Sequence, residues 1–256
     1  MVERTFVIAE CGSSWNFGLD PIGNAYRMIE AAKACDASAV KFQFTSDATA
    51  MAKRRGLGAD AEAMYRRYLQ YPVEYLHKFK AKCDEVGLEF MTTVFLIEDI
   101  PTIAPLVSRF KISAFEAKWV EFVVAHEPYE KDVIISRNPF TRVEYWLAVK
   151  HNMTIETIHC ISKYPTPIEE LGLHWIRDEE LYGLSDHSTS VLTGALAVAA
   201  GGRIVEKHVR LSDTPKDNPD YGHSLVVNFL DARYSLNQDR CFKEYVKNIR
   251  ETERAM

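Results

Sequence analysis

The chain has 256 residues, 47% of them hydrophobic and 26% charged, with a net charge of −5 at pH 7. That length carries one large core and lies near the about 250 residues of an eight-fold α/β barrel. No apolar run approaches the roughly 18 residues that a membrane span needs, and an acidic chain offers no general basic surface, so neither a membrane nor a nucleic-acid partner is expected.

The first ten residues, MVERTFVIAE, lack the basic and long apolar regions of a secretory leader, which makes the cytoplasm the expected location. From there the chain alternates strands and helices. TFVIAE (5–10) is followed by the amphipathic PIGNAYRMIEAAKAC (21–35), whose Pro21 stands just after Asp20, a favourable helix start. AVKFQF (39–44) is the second strand. Residues 45–71 then form a long polar connection, of a length more often found as a lid or binding loop than as idle chain. Its Lys53, Arg54 and Arg55 and the pair Arg66 and Arg67 suit either a phosphate or a solvated helix face. The helix PVEYLHKFKAKCDEV (72–86) leads to the strands GLEFMTTVF (87–95), RFKISAF (109–115) and DVIISR (132–137). A helix is expected near 140–150. TIETIHC (154–160), LYGLSDH (181–187) and RIVEKHV (203–209) complete eight strands; VLTGALAVAAG lies between the last two, and QDRCFKEYVKNIRETERAM makes a final helix.

Eight such alternations in this length favour closure, so the predicted fold is α/β, a single (β/α)8 TIM barrel over residues 1–256. An open doubly wound sheet is the alternative, weakened because no glycine-rich phosphate loop follows the first strand. Cys11, Cys35, Cys83, Cys160 and Cys241 are odd in number and scattered, without a C-x-x-C pair, and read as free buried thiols.

A barrel places its site at the C-terminal ends of its strands, and the polar residues collect there. They are Glu10, Lys41, Gln43, Thr93, Lys111 and Glu116, and then Ser136, His159, Ser185, His187, Glu206 and His208. Side chains alternate along a strand, so Lys41 and Gln43 share the inward face while Phe42 and Phe44 turn to the helices. Ser185 with His187, and Glu206 with His208, share faces by the same step. Two imidazoles on adjacent strand ends can hold a metal between them; the alternative is hydrogen-bonded packing. Without thiolates, two histidines with oxygen ligands and open positions suit Mn²⁺, Mg²⁺ or a similar divalent ion better than structural zinc. Lys41 and Lys111 suit a phosphate or carboxylate. Glu10 and Glu116 fit hydroxyl orientation or proton relay, or else ion pairs with these lysines.

The segments VIAECG, AVKFQF, FKIS with AFE, IHCISKYPTP, GLSDHS, VEKHV and PDYGHSL resemble, in order, motifs of the N-acetylneuraminate (sialic acid) synthase family. The likeness runs from about residue 6 to residue 225. It implies a barrel that condenses phosphoenolpyruvate with an N-acylated amino sugar such as N-acetylmannosamine, releasing phosphate with the help of a divalent metal. Mn²⁺ comes first, with Mg²⁺ or Co²⁺ as alternatives. It further implies His187 and His208 as metal ligands, with Lys41, Lys111, Ser136 and Ser185 on phosphoenolpyruvate. Glu10, Gln43, Thr93, Glu116, Tyr164 and Asp220 would face the sugar or the reacting centre. A homodimer is implied as well.

The departures fall on the acceptor side. SSWNFG stands where the family has an Asn-His-Asn-Gly-like loop, with Trp15 at the histidine. Ala114 replaces a serine, with Ser113 one place early; Arg137 and Asn138 replace Thr-Gly, and Ser162 stands where asparagine is common. Arg137 would add a phosphate contact or pair with an acid. The chain is expected to lack the family's C-terminal antifreeze-like domain. Three further readings stay open: a related 3-deoxy-2-keto sugar acid synthase with another aldose, a Schiff-base aldolase using Lys41 or Lys111, and a non-catalytic barrel.

Overall fold

A computed structural model describes residues 4–138, 154–178, 181–227 and 241–256. Its strands are β1 (Phe6–Gly12), β2 (Ala39–Phe44), β3 (Glu89–Val94), β4 (Phe110–Ile112), β5 (Val133–Arg137), β6 (Ile155–Cys160), β7 (Gly183–Asp186) and β8 (Ile204–Arg210). Parallel ladders follow the order β3-β2-β1-β8-β7-β6-β5-β4, and β3 and β4 lie together at the remaining seam. The sheet is therefore a nearly closed barrel, as the alternation predicts. A short ninth strand, β9 (Leu225–Val226), pairs in parallel with Val209 and Arg210 of β8.

Around the barrel run α1 (Pro21–Ala34), α2 (Ala48–Arg54), α3 (Ala59–Tyr68), α4 (Glu74–Val86), α5 (Ile100–Ile103) and α6 (Val120–Val124), then α7 (His174–Asp178), α8 (Thr193–Ala199) and α9 (Phe242–Ala255). The helix expected near 140–150 lies outside the described residues. α1 starts where Asp20 accepts the Gly23 N–H at 2.8 Å, satisfying one donor of the open first turn. α4 stops at Gly87, whose φ of 70° is the left-handed cap that glycine adopts without strain. α9 closes the ring: the Glu253 carboxylate accepts the Thr5 N–H at 2.6 Å, and Arg250 donates to the Thr5 carbonyl at 3.0 Å. No helix among the described residues is long and apolar enough to cross a membrane.

Alternation sorts the strand residues as predicted. Outward-facing Phe42 stacks on Phe79 of α4 at 4.5 Å between ring centroids. Inward-facing Ile8, Ala39, Met91, Ile134, Ile158 and Ile204 form a separate buried cluster, an apolar floor on which each large side chain contributes about 1.5–3 kcal/mol. One layer higher on the same faces come Glu10, Lys41, Lys111, Ser136, Ser185 and Glu206, all buried. Gly183 is required where β7 meets β8, because a Cβ there would stand 1.7 Å from the Ile204 carbonyl oxygen.

Two expectations are corrected. Residues 45–71 are not an irregular connection but largely α2 and α3, packed with Phe95 and Leu96 in a small core of their own. Asp47 starts α2 by accepting from the N–H groups of Thr49 and Ala50. His159 has the outward parity of its strand; its Nε2–H donates to the Leu171 carbonyl at 2.6 Å, and it stays away from the mouth. The five cysteines are free, four of them buried.

Candidate active site

Above the apolar floor the strand ends open into a cavity of about 430 Å³. Its lower wall carries a charge network laid out by strand register. Glu10 lies opposite Lys41 on one side and His208 on the other, and Ser185 lies opposite Glu206. Lys41 forms an ion pair with Glu10, lies 3.6 Å from Glu206, and donates to Thr93 Oγ1 at 3.1 Å. Lys111 lies 3.5 Å from the same Glu206 oxygen and donates to Ser136 Oγ at 2.7 Å. The Ser185 hydroxyl donates to the other Glu206 oxygen at 2.9 Å.

The charges balance because buried ions must be paired. Burial works against a charged Glu206, yet Lys111 and Lys41 outweigh it and hold its pKa at about 2. Burial likewise opposes a charged Lys41, and Glu10 and Glu206 outweigh it, so its pKa is raised and it stays an ammonium. For Lys111 desolvation prevails and the pKa is lowered. An anion entering here meets the Lys41 and Lys111 amines and the hydroxyls of Ser136 and Ser185.

The histidines stand at the rim. The His187 Nδ1–H donates to the Ile161 carbonyl at 2.7 Å, which fixes the tautomer and leaves Nε2 with its lone pair. Burial, with His208 adding to it, lowers the His187 pKa to about 3, so the ring is neutral at pH 7. His187 and His208 have ring centroids 5.5 Å apart, and Tyr164 lies over His187 at 4.1 Å. Asp220 arrives from the segment after β8. One of its oxygens accepts from the Ser13 N–H at 2.5 Å and the Ser13 hydroxyl at 2.6 Å. The other faces His208 Nδ1 at 3.4 Å. The neutral His187, the Asp220 carboxylate and a buried His208 nitrogen with no hydrogen bond are a donor set that fits a divalent cation. Thiolate does not compete, since burial raises the nearby Cys160 thiol to about 12.

The opposite wall is different. Met51 and Arg55 from α2 and its end, Met64 and Tyr65 from α3, and Phe95 and Phe115 line it. Arg55 grips Glu116 through Nε at 2.9 Å and Nη2 at 2.6 and 2.8 Å, and the Ser113 hydroxyl donates to the same carboxylate. Glu116 therefore pairs with Arg55 rather than with a lysine, while Glu10 does pair with Lys41. Both glutamates lie behind the cavity surface; Lys41, Gln43, Thr93, Lys111, Ser136 and Tyr164 line it, as do Ser185, His187, Glu206, His208 and Asp220.

Of the departures, Trp15 is buried outside the site, edge-on to Tyr71 and Phe79 at 5.0 Å each. Ala114 and Ser162 line the cavity, whereas Arg137 does not. Sequence reasoning missed Arg55 as a wall residue, Ser13 as the anchor of Asp220, and His223, whose Nε2 lies 3.1 Å from Asp220. The basic run at 53–55, the altered SSWNFG loop and the histidine three places after Asp220 were their signals.

Fold and site together define a (β/α)8 barrel whose mouth joins a pocket with two buried lysines to a rim of histidines and a carboxylate. The model of the NeuB family matches residues 28–256, and the chain belongs to that family. An uncharacterized protein of Methanocaldococcus jannaschii is 29% identical over 265 residues, covering 99% of this chain and 72% of its own length. Pseudaminic acid synthase of Campylobacter jejuni is 28% identical over 277 residues, covering 99% and 75%. The crystal structure of N-acetylneuraminic acid (sialic acid) synthetase from Leptospira borgpetersenii, in complex with citrate, superposes with a TM-score of 0.81 at 25% identity, covering 98% of this chain and 84% of that one.

Proposed function

We propose that this chain condenses phosphoenolpyruvate with an N-acylated amino sugar of the N-acetylmannosamine type, forming a nonulosonate such as a sialic acid and releasing phosphate. The observation that carries the reading is the anion pocket: two buried lysines with Ser136 and Ser185 at hydrogen-bond distance of the same network, next to the histidine rim. Relatives named as sugar-acid synthases match nearly the whole chain.

Lys41 and Lys111 hold the phosphate and carboxylate of phosphoenolpyruvate, and the serine hydroxyls orient them. The enol carbon attacks the aldehyde carbon of the open-chain sugar, whose carbonyl electron pair becomes a protonated hydroxyl. Water adds to the resulting cationic carbon and phosphate leaves. Glu206, held ionised by the lysines, is fixed beside that carbon's charge, and Glu10 keeps Lys41 in place. Gln43, Thr93, Tyr164 and the Arg55–Glu116 pair face the acceptor side. His187 and His208, with Asp220 beside them, would hold the divalent ion, Mn²⁺ before Mg²⁺ or Co²⁺, which when bound polarises the aldehyde oxygen.

A second reading keeps the reaction and changes the aldose to that of a related 3-deoxy-2-keto sugar acid synthase. The apolar wall of Met51, Met64, Tyr65, Leu69, Phe95 and Phe115 favours it. Phosphate release from phosphoenolpyruvate is the test, with Mn²⁺ and a panel of N-acyl mannosamines and plain aldoses. Release that depends on an aldose supports the reaction, and the best aldose decides between the acceptors. No release with any of them contradicts both. Lysine labelling by borohydride with a keto acid would point instead to a Schiff base.

A further inference from the structure

We propose that His223 is a metal ligand, forming with His208 and one oxygen of Asp220 a two-histidine, one-carboxylate face. The inference rests on the reading above that the site takes a divalent ion. One ligand atom from each of these three residues lies within 4.8 Å of the other two. His208 Nδ1 and His223 Nε2 approach the same Asp220 oxygen at 3.4 and 3.1 Å. Atoms in neighbouring positions on one ion, each about 2.1 Å from it, sit about 3 Å apart. Both nitrogens are buried, and neither forms a hydrogen bond. Their close polar neighbour is that shared carboxylate oxygen, and a cation in the space between would give all three atoms a common partner.

The mount is rigid and divides the work of Asp220 between its oxygens. Ser13 occupies Oδ2, which leaves Oδ1 to the two imidazoles. Gly12 makes that approach possible: its φ is +47°, and a Cβ there would stand 2.3 Å from Asp220 Oδ2. On the far side of His223, Leu225 is fixed in the ladder with β8. The His208 and His223 ring centroids are 4.6 Å apart, closer than the 5.5 Å between His187 and His208. The ion therefore sits toward the segment after β8, with the lone pair of His187 at its edge.

The test uses the full chain, titrated with Mn²⁺ and followed by electron paramagnetic resonance, with pulsed spectra counting coordinated imidazole nitrogens. H223A and H223Q should each weaken Mn²⁺ binding at least ~10-fold and remove one imidazole from the spectrum, while circular dichroism and metal-free phosphoenolpyruvate binding stay as in the wild type. Glutamine can still hydrogen-bond Asp220, so H223Q separates ligation from positioning. Wild-type affinity and nitrogen count in H223Q would overturn the assignment, as would a wild type that binds no divalent ion. Should His223-dependent binding be found without phosphate release from any aldose, the proposed function fails and this assignment stands. Unchanged binding in both variants with phosphate release intact gives the reverse.

Discussion

On the β7–β8–β1 side of the mouth, every polar group stands on a strand or on a segment tied to one. Lys41 and His208 flank Glu10 by register, Ser185 lies opposite Glu206, and Asp220 is anchored by Ser13. On the opposite side, Met51, Arg55, Met64 and Tyr65 come from two short helices that share a small core with Phe95 and Leu96. The first side is set by barrel geometry and, in the proposed reaction, takes phosphoenolpyruvate and the divalent ion. The second is a pair of helices with a small core of its own and, in the proposed reaction, takes the aldose.

The largest expected effect falls on the strand-borne side. E206Q leaves Lys41 and Lys111 facing each other without their shared carboxylate, and urea unfolding should show a loss of roughly 3–5 kcal/mol at pH 7. A loss under 1 kcal/mol would show that the lysines are not held by that charge. On the helical side, a double-mutant cycle of R55A and E116Q should give a coupling of roughly 1–3 kcal/mol. R55A should also raise the KM for the aldose while phosphoenolpyruvate binding stays constant. Equal damage to both substrates would erase the division between the two sides.

The smallest effect lies outside both, in the helical layer. Burial lowers the His126 pKa to about 4, against an ordinary value of 6.5. Between those values the unfolded chain binds a proton that the folded chain does not. The contribution is complete above pH 6.5 and is lost as pH falls toward 4, about 1.4 kcal/mol by pH 5.5. H126N should remove that part of the acid loss, which is the background for any pH response of the mouth.

The same division explains what could be read from the amino-acid sequence. Period-two alternation places Lys41 with Gln43 and Ser185 with His187 from spacing alone, and the strand count yields the barrel. Parity also shows His159 turned outward, a step that listing polar strand ends passes over. Arg55, Ser13 and His223 reach their partners across 61, 207 and 3 positions respectively, through loops whose paths no local periodicity encodes. α2 and α3 escape because their short spans are covered by a satellite core rather than by a long apolar stripe. Trp15 marks a real change, but its place among Phe42, Tyr71 and Phe79 depends on contacts with β2 and α4.

The most direct measurement is a crystal structure of the protein soaked with Mn²⁺ and phosphoenolpyruvate, with anomalous scattering to locate the ion. The account predicts phosphoenolpyruvate oxygens within hydrogen-bond distance of Lys41 and Lys111 and an anomalous peak within bonding distance of His208. Phosphoenolpyruvate bound away from both lysines, or a peak that touches none of the rim histidines, would contradict it.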